Sequence, residues 1–118
     1  MNLMYKSTRD DSKRVTASQA ILQGLSSDGG LFVPETIPVL QKSMEELSTM
    51  DYRETAYEVL KLFLTDYTEE ELRDCIQKAY DSKFDTPEIA PLRKAGDAYY
   101  LELFHGATIA FKDMALSI

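Results

Sequence analysis

The feature that most constrains the fold is a run of apolar residues at helical spacing in the second half of the chain. Its members recur at i, i+3, i+4, i+7 and i+8, and they are Leu72, Cys75, Ile76, Ala79 and Tyr80. This spacing places one apolar stripe along an α-helix. Thr68, with Glu71 three residues later, has the spacing of a capping box and predicts where the helix begins. We expect Cys75 to pack in the core, as free cysteines on such stripes usually do.

Two further helix starts lie upstream of this stripe. Ser43 is followed three residues later by Glu46, and Asp51 by Glu54, so each pair can satisfy free backbone N–H groups at a helix N-terminus. The apolar residues that follow the second pair at helical spacing are Tyr52, Ala56, Leu60, Phe63 and Leu64. The sequence therefore predicts a mainly helical region from residue 43 to residue 80.

The N-terminal region has the signals of a short helix, a turn and a short strand. Thr16 and Gln19 again have capping-box spacing. The apolar residues of the predicted helix are Ala17, Ala20, Ile21 and Leu25. Residues 26–30 (Ser-Ser-Asp-Gly-Gly) favour a turn, because glycine adopts positive φ at little cost and aspartate bonds to nearby backbone. Residues 31–33 are then predicted to form a strand.

Composition changes at residues 85–93, where Pro87 and Pro91 favour an extended loop. We predict a domain boundary here, between residues 1–85 and residues 86–118. The first part is expected to be mainly helical with short strands.

The second part has the pattern of a strand, a turn and a helix. Residues 97–104 are mostly β-favouring and predict a strand, with the turn after it beginning at His105. Thr108 can cap a helix that starts near Ile109. The expected fold class of the chain is therefore α/β.

Charge and residue types exclude several classes of function. The net charge is −7 and the 13 Lys and Arg residues are not clustered, which argues against nucleic acid as a partner. No apolar run approaches the roughly 20 residues that span a bilayer, so we expect no membrane segment. With Cys75 and His105 as the only cysteine and histidine, we expect no disulfide and no metal site. The lone cysteine and the absence of a secretory signal pattern predict a cytoplasmic protein.

Lys112 is the candidate reactive residue. In the predicted helix it falls in the first turn, where the helix dipole disfavours an ammonium ion, and its sequence neighbours other than Asp113 are apolar. Both effects favour the neutral amine that a lysine needs to form an imine with a carbonyl compound. Spacing alone does not decide the matter, because Lys112, Asp113 and Ser117 also fit the solvated face of an amphipathic helix, and on spacing alone that reading is the more frequent one.

Two segments together resemble one enzyme family. Residues 104–113 (Phe-His-Gly-Ala-Thr-Ile-Ala-Phe-Lys-Asp) closely resemble the segment of threonine synthases that contains their cofactor lysine. Residues 5–9 and residues 20–34 resemble the N-terminal signature of the same family, at the expected distance. One departure is Ala107, which stands where many members have proline; it changes no reacting group.

The resemblance implies a fold and a set of site residues. It implies that residues 86–118 begin a fold-type II pyridoxal-phosphate domain that is truncated here, and that pyridoxal 5'-phosphate is held as an imine by Lys112, the catalytic residue. It places His105, Thr108 and Asp113 beside the cofactor, while the ordinary roles of strand end, helix cap and first-turn acid are each at least as frequent for these residues. Ser7, Thr8, Arg9 and Asp28 are expected to line the substrate cleft, with Arg9 a candidate for an anionic group.

The resemblance also implies a reaction. The parent enzyme is expected to be a phospho-lyase that converts O-phospho-L-homoserine and water to L-threonine and phosphate in threonine biosynthesis. We expect the 118-residue fragment to be inactive alone and to expose a strand edge near residues 98–104 that favours self-association. Two alternatives remain: another fold-type II pyridoxal-phosphate enzyme, against which residues 28–34 argue, and a non-enzymatic interaction domain.

Overall fold

The computed structural model describes all 118 residues and shows an α/β chain. Its elements in order are β1 (Tyr5–Ser7), α1 (Ala17–Gln23), β2 (Phe32–Pro34), α2 (Met44–Ser48), α3 (Tyr52–Phe63), α4 (Glu69–Ala79), β3 (Leu92–Ala95), β4 (Ala98–Leu101) and α5 (Asp113–Leu116). Two compact units are formed, the first by residues 1–42 with 58–72 and the second by residues 43–57 with 73–118. The division of a longer enzyme at residue 85 stays a prediction. No helix is both long enough and apolar enough to cross a membrane.

The three central helices begin where the sequence predicts them. The Ser43 hydroxyl accepts from the Glu46 N–H, and the Glu46 carboxylate accepts from the Ser43 N–H. Asp51 makes the same reciprocal pair with Glu54, and Thr68 with Glu71. Capping boxes depend only on residues three apart, which explains why sequence reasoning locates them well.

The first unit contains a two-stranded antiparallel sheet and helix α1. Strand β1 pairs with β2 so that Tyr5 lies opposite Pro34 and Ser7 opposite Phe32. The sequence did not predict β1, and β2 begins one residue later than expected. Helix α1 starts at Thr16 with both halves of the predicted capping box and ends at Gly24, which has a φ of 75°.

The segment after α3 is bonded to both elements of the first unit. The Tyr5 hydroxyl donates to the Phe63 carbonyl at 3.0 Å. The Asp66 carboxylate accepts from the N–H and the hydroxyl of Ser18, at 3.0 and 2.6 Å, and so supplements the start of α1. Ala17 and Ala20 are buried as expected, whereas Ile21 is exposed, which corrects the stripe predicted for α1.

Tyr80 lies at the centre of the second unit. Its ring packs edge-on against Tyr52, with 4.8 Å between centroids, and its hydroxyl donates to the Met114 carbonyl at 2.7 Å. Arg53 donates to the Tyr80 carbonyl at 2.6 Å. Burial, with a contribution from Tyr52, raises the pKa of Tyr80 to about 12. The buried apolar residues of this unit are Ile76, Ala79, Tyr80, Phe84 and Ile89.

The expectation that Cys75 is buried was wrong, because its side chain is exposed. Each residue advances about 100° around a helix, so Cys75 lies at the border of the stripe defined by Leu72 and Ile76. The predicted stripe of α4 is therefore correct at its other positions and too wide at this one.

The C-terminal third differs most from the sequence prediction. The predicted loop over 85–93 ends in strand β3, which pairs antiparallel with β4 so that Leu92 lies opposite Leu101. All eight residues of this hairpin are exposed, and the other edge of each strand is unpaired. The predicted helix start near Ile109 is wrong, because Ile109 has a φ of 65° and α5 begins only at Asp113.

Candidate functional site

Lys112 stands immediately before α5, not in its first turn as the sequence predicted. Its backbone has φ −62° and ψ −24°, and its side chain is exposed and makes no hydrogen bond or ion pair. The expected apolar surroundings do not form within this chain, since Ile109, Phe111 and Leu116 are 71%, 66% and 77% exposed. The amine of Lys112 is consequently accessible and has no partner to displace.

A closed turn presents Lys112, and its two polar residues are Thr108 and Asp113. The Asp113 carboxylate accepts from the Thr108 N–H at 2.8 Å and from the Thr108 hydroxyl at 2.6 Å. Two of the three residues that the resemblance placed beside a cofactor therefore bind each other. Thr108 caps no helix, because no helix follows it directly: Ile109 has a φ of 65° and α5 begins only at Asp113. The Thr108 hydroxyl, which donates to Asp113, also accepts from the Ala110 N–H at 3.4 Å.

Gly106 allows the turn to close. It is buried, and a Cβ placed on it would lie 2.6 Å from the Asp113 Cβ, closer than such atoms approach in proteins. Ile109 in the same turn has a positive φ, a strained conformation for a β-branched residue. Backbone strain of this kind persists only where the surrounding contacts hold it.

His105 precedes this turn and bonds to two carboxylates. Its Nδ1 lies 2.5 Å from Asp85 Oδ1, its Nε2 lies 2.8 Å from Glu102 Oε2, and only 13% of its side chain is exposed. Glu102 lies in addition 4.0 Å from the Nε of Arg93. Hydrogen bonds to Glu102 and then Asp85 raise the pKa of His105 above its ordinary value. Sequence analysis missed Asp85 and Glu102, because no spacing pattern joins them to the histidine.

A second cluster, in the first unit, contains the predicted substrate-binding residues Thr8, Arg9 and Asp28. The Asp28 carboxylate accepts from the Ser7 hydroxyl and from the Gly30 N–H, each at 2.8 Å. The Thr8 hydroxyl accepts from the Leu31 N–H at 3.1 Å. The end of β1 and the turn before β2 are thus held together by these side chains.

Within this cluster Asp28 stabilises the turn, whereas Arg9 keeps donors that a ligand could bond. The Gly30 N–H, assisted by hydroxyls that include that of Ser7, lowers the pKa of Asp28 below its usual range. One guanidinium nitrogen of Arg9, Nη1, donates to the Asp28 carbonyl at 3.1 Å, and the other two guanidinium nitrogens make no hydrogen bond. Arg9 is exposed, so those remaining donors face solvent.

The predicted site residues lie on the surfaces of their units. A cavity of about 360 Å³ in the first unit and one of about 260 Å³ in the second contain none of them. Thr8, Arg9 and Asp28 are brought together in one unit, and Thr108, Lys112 and Asp113 in the other. The structure brings together no group of three or more side chains arranged to hold a metal ion.

Comparison with known proteins gives one consistent family. A family model described as "Threonine synthase N terminus" matches residues 4–80. The threonine synthase of Eremothecium gossypii is 40% identical over 98% of this chain, which spans 24% of that relative. The crystal structure of yeast threonine synthase has a TM-score of 0.87 and 36% identity, over 98% of this chain and 24% of that one. The structure of pyridoxal-phosphate-bound threonine synthase from Brucella melitensis has a TM-score of 0.83 and 33% identity, over 98% and 25%. The chain therefore spans about a quarter of the proteins it matches.

Proposed function

The chain belongs to the threonine synthase family, and on that premise we propose that it forms the N-terminal region of an enzyme that makes L-threonine and phosphate from O-phospho-L-homoserine and water. The observation that carries the proposal is Lys112, an exposed amine without a partner, in the segment that resembles the one containing the family's cofactor lysine. The enzyme is then a pyridoxal-phosphate-dependent phospho-lyase of threonine biosynthesis, and we place it in the cytoplasm.

The residues around Lys112 fit the attachment of pyridoxal phosphate but not the whole of its binding. A free, accessible amine is what imine formation with an aldehyde requires. Lys112 is, however, the only Lys or Arg between residues 104 and 118, so this segment offers no second cationic side chain for the cofactor phosphate. When bound, this cofactor supplies an electron sink for a substrate carbanion.

We assign the proton transfers to Lys112. With pyridoxal phosphate bound, its Nζ would be the base that removes a proton from the substrate and later returns one. Thr108 and Asp113 hold the turn that presents this amine, and we propose that they also lie beside the cofactor. Their mutual hydrogen bonds fix the backbone on both sides of Lys112.

Arg9 is our candidate for binding an anionic group of the substrate. A guanidinium can bond a phosphate or carboxylate through two parallel N–H donors, and Arg9 keeps such donors unused. We propose that Thr8 and Asp28, which lie in the same cluster as Arg9, also take part in binding the substrate. Asp28 also orients Arg9 through its backbone carbonyl.

Alone, the 118-residue chain is expected to be inactive. Its proposed site residues are exposed, and a catalytic site needs its reacting groups enclosed and positioned. The exposed hairpin formed by β3 and β4 includes part of the edge predicted near residues 98–104. We expect it to pair with a second copy, because unpaired strand edges with apolar side chains favour association. This hairpin is the observation that favours the alternative of a non-enzymatic interaction domain.

Turnover of O-phospho-L-homoserine by the full-length enzyme tests the proposed reaction. We expect release of phosphate and L-threonine in equal amounts, loss of both with Lys112→Ala, and no change with Lys94→Ala, a matched exposed lysine on β3. Turnover of serine or threonine instead would indicate another pyridoxal-phosphate enzyme. No turnover of any amino acid by a folded full-length protein would indicate the interaction domain.

A further inference from the structure

His105 links two segments of the second unit through its side chain. The first is the loop at residues 81–90, which supplies Asp85, and the second is the stretch after β4, which supplies Glu102. The Asp85 N–H also donates to the His105 carbonyl at 3.0 Å, so the same two segments meet through backbone and side chain. We propose that the imidazolium of His105 is a positioning group that clamps these segments together and so holds the turn that presents Lys112.

The geometry requires the charged form of the ring. An ionised carboxylate only accepts hydrogen bonds, and each ring nitrogen of His105 faces one carboxylate. A neutral imidazole has a single N–H and would turn a lone pair toward the other carboxylate. Protonated His105 satisfies both partners at once, and its small exposed fraction limits competition from water.

The clamp reaches Lys112 through a short series of contacts. Gly106 follows His105 directly and lies beneath the Asp113 side chain. Asp113 in turn bonds the N–H and hydroxyl of Thr108, and Lys112 is its immediate neighbour. Displacing His105 would shift Gly106, and a shift of Gly106 toward Asp113 would disturb that side chain, whose Cβ already lies 2.6 Å from where a Cβ on Gly106 would stand.

Few other groups act on the ring. Arg93, 4.0 Å from the Glu102 carboxylate, is itself paired with Glu88, and the Phe104 ring lies 4.5 Å from the imidazole. When the pH rises and His105 loses its proton, one of its two hydrogen bonds to Asp85 and Glu102 is lost.

A nuclear magnetic resonance titration of the 118-residue chain tests the clamp. His105 is the only histidine, so its ring signals need no assignment by mutation. We expect the ring to titrate above pH 6.5, its ordinary value, and the amide shifts of Thr108 and Asp113 to follow with the same midpoint. Amide shifts that stay constant while the ring titrates would overturn the proposal.

Variants separate positioning from mere stability. Asp85→Asn keeps an acceptor oxygen but loses its charge, so we expect it to lower the midpoint of both titrations together while the chain stays folded. Asp85→Ala removes the hydrogen bond between the residue 85 side chain and His105, and we expect the Thr108 amide to exchange severalfold faster at fixed pH. Asp74→Asn, which changes an exposed acid on α4, is the matched control and should alter neither. Equal effects of all three variants would contradict the clamp.

The consequence for Lys112 rests on the proposed function, and its test is kept separate. In the full-length enzyme we expect Asp85→Ala to slow attachment of pyridoxal phosphate at Lys112. We expect Asp85→Asn to allow attachment at the wild-type rate at low pH, where His105 is protonated. If the wild-type lysine never binds the cofactor, the proposed function fails while the amide titration still decides whether the clamp exists. If Lys112 reacts equally fast in all variants, the clamp does not position it.

Discussion

Asp113 holds Thr108 through two hydrogen bonds, one from the backbone N–H at 2.8 Å and one from the hydroxyl at 2.6 Å. Lys112 lies between Thr108 and Asp113 in the sequence, so its backbone is held in place although its side chain makes no hydrogen bond or ion pair. Asp113 therefore closes the turn, and a direct contact with a cofactor would be in addition to this role.

Replacing Gly106 with alanine should open this turn. The new Cβ would meet the Asp113 side chain at 2.6 Å, and one of the two must move. We expect Gly106→Ala to break the bonds between Asp113 and Thr108, seen as faster exchange of the Thr108 amide. Gly96→Ala is the control, because nothing lies within 4 Å of a Cβ there, although its φ of 60° carries its own local strain. An unchanged Thr108 amide in Gly106→Ala would mean that the turn is not closed by this packing.

Tyr80 should limit the stability of the chain at high pH. Its pKa is about 12 in the folded chain and about 10 when exposed, so the unfolded state loses this proton first. The contribution is complete below pH 10 and is lost as the pH rises toward 12. We expect urea unfolding of the wild type to show this fall, and Tyr80→Phe to show a shallower one.

The same Tyr80→Phe variant should be less stable at neutral pH. It leaves the Met114 carbonyl without the hydroxyl at 2.7 Å, a loss of about 1 kcal/mol in the free energy of unfolding. Tyr99→Phe, on the exposed hairpin, removes a hydroxyl at the surface and is the matched control. Equal stability of the two variants would show that the bond to Met114 contributes nothing.

Asp28 should make the first unit sensitive to acid. Its pKa is lowered in the folded chain, so the stability that it contributes is present above the ordinary value of 3.8 and is lost as the pH falls through the folded value. We expect Asp28→Asn to be less stable than wild type at neutral pH, and the difference to shrink below pH 3.8. A difference that is constant with pH would rule out the charged carboxylate as the cause.

The exposed hairpin should mediate self-association. We expect Leu101→Lys to weaken association of the chain, because a charged side chain on an exposed strand disfavours pairing with another strand. Leu22→Lys, which changes an exposed leucine on α1, is the control. Sedimentation velocity over a range of concentrations measures both. If Leu22→Lys alone reduces association, the contact lies on the other unit.

Local signals and distant contacts explain what the sequence could and could not predict. The helix starts at Ser43, Asp51 and Thr68 were confirmed because each depends on residues within one turn. Strands β1 and β3 were missed because each is short and is stabilised by a partner strand that local spacing does not reveal.

The candidate site shows the same division. Thr108 and Asp113 were singled out from sequence, but they bond each other across a turn in which Ile109 has a positive φ, so the expected helix does not begin there. The partners of His105 lie 20 and 3 residues away along the chain, at positions without any periodic pattern. Only the folded loop at residues 81–90 brings Asp85 to the ring.

The central claim is that Lys112 carries pyridoxal phosphate, and reductive trapping tests it most directly. The full-length enzyme would be incubated with the cofactor, reduced with borohydride, digested and analysed by mass spectrometry, with Lys112→Arg and Lys94→Ala treated in parallel. We expect the phosphopyridoxyl mass on Lys112 in the wild type and in Lys94→Ala, and its absence from Lys112→Arg. A folded wild-type enzyme that carries the label on another lysine, or carries none, would contradict the account.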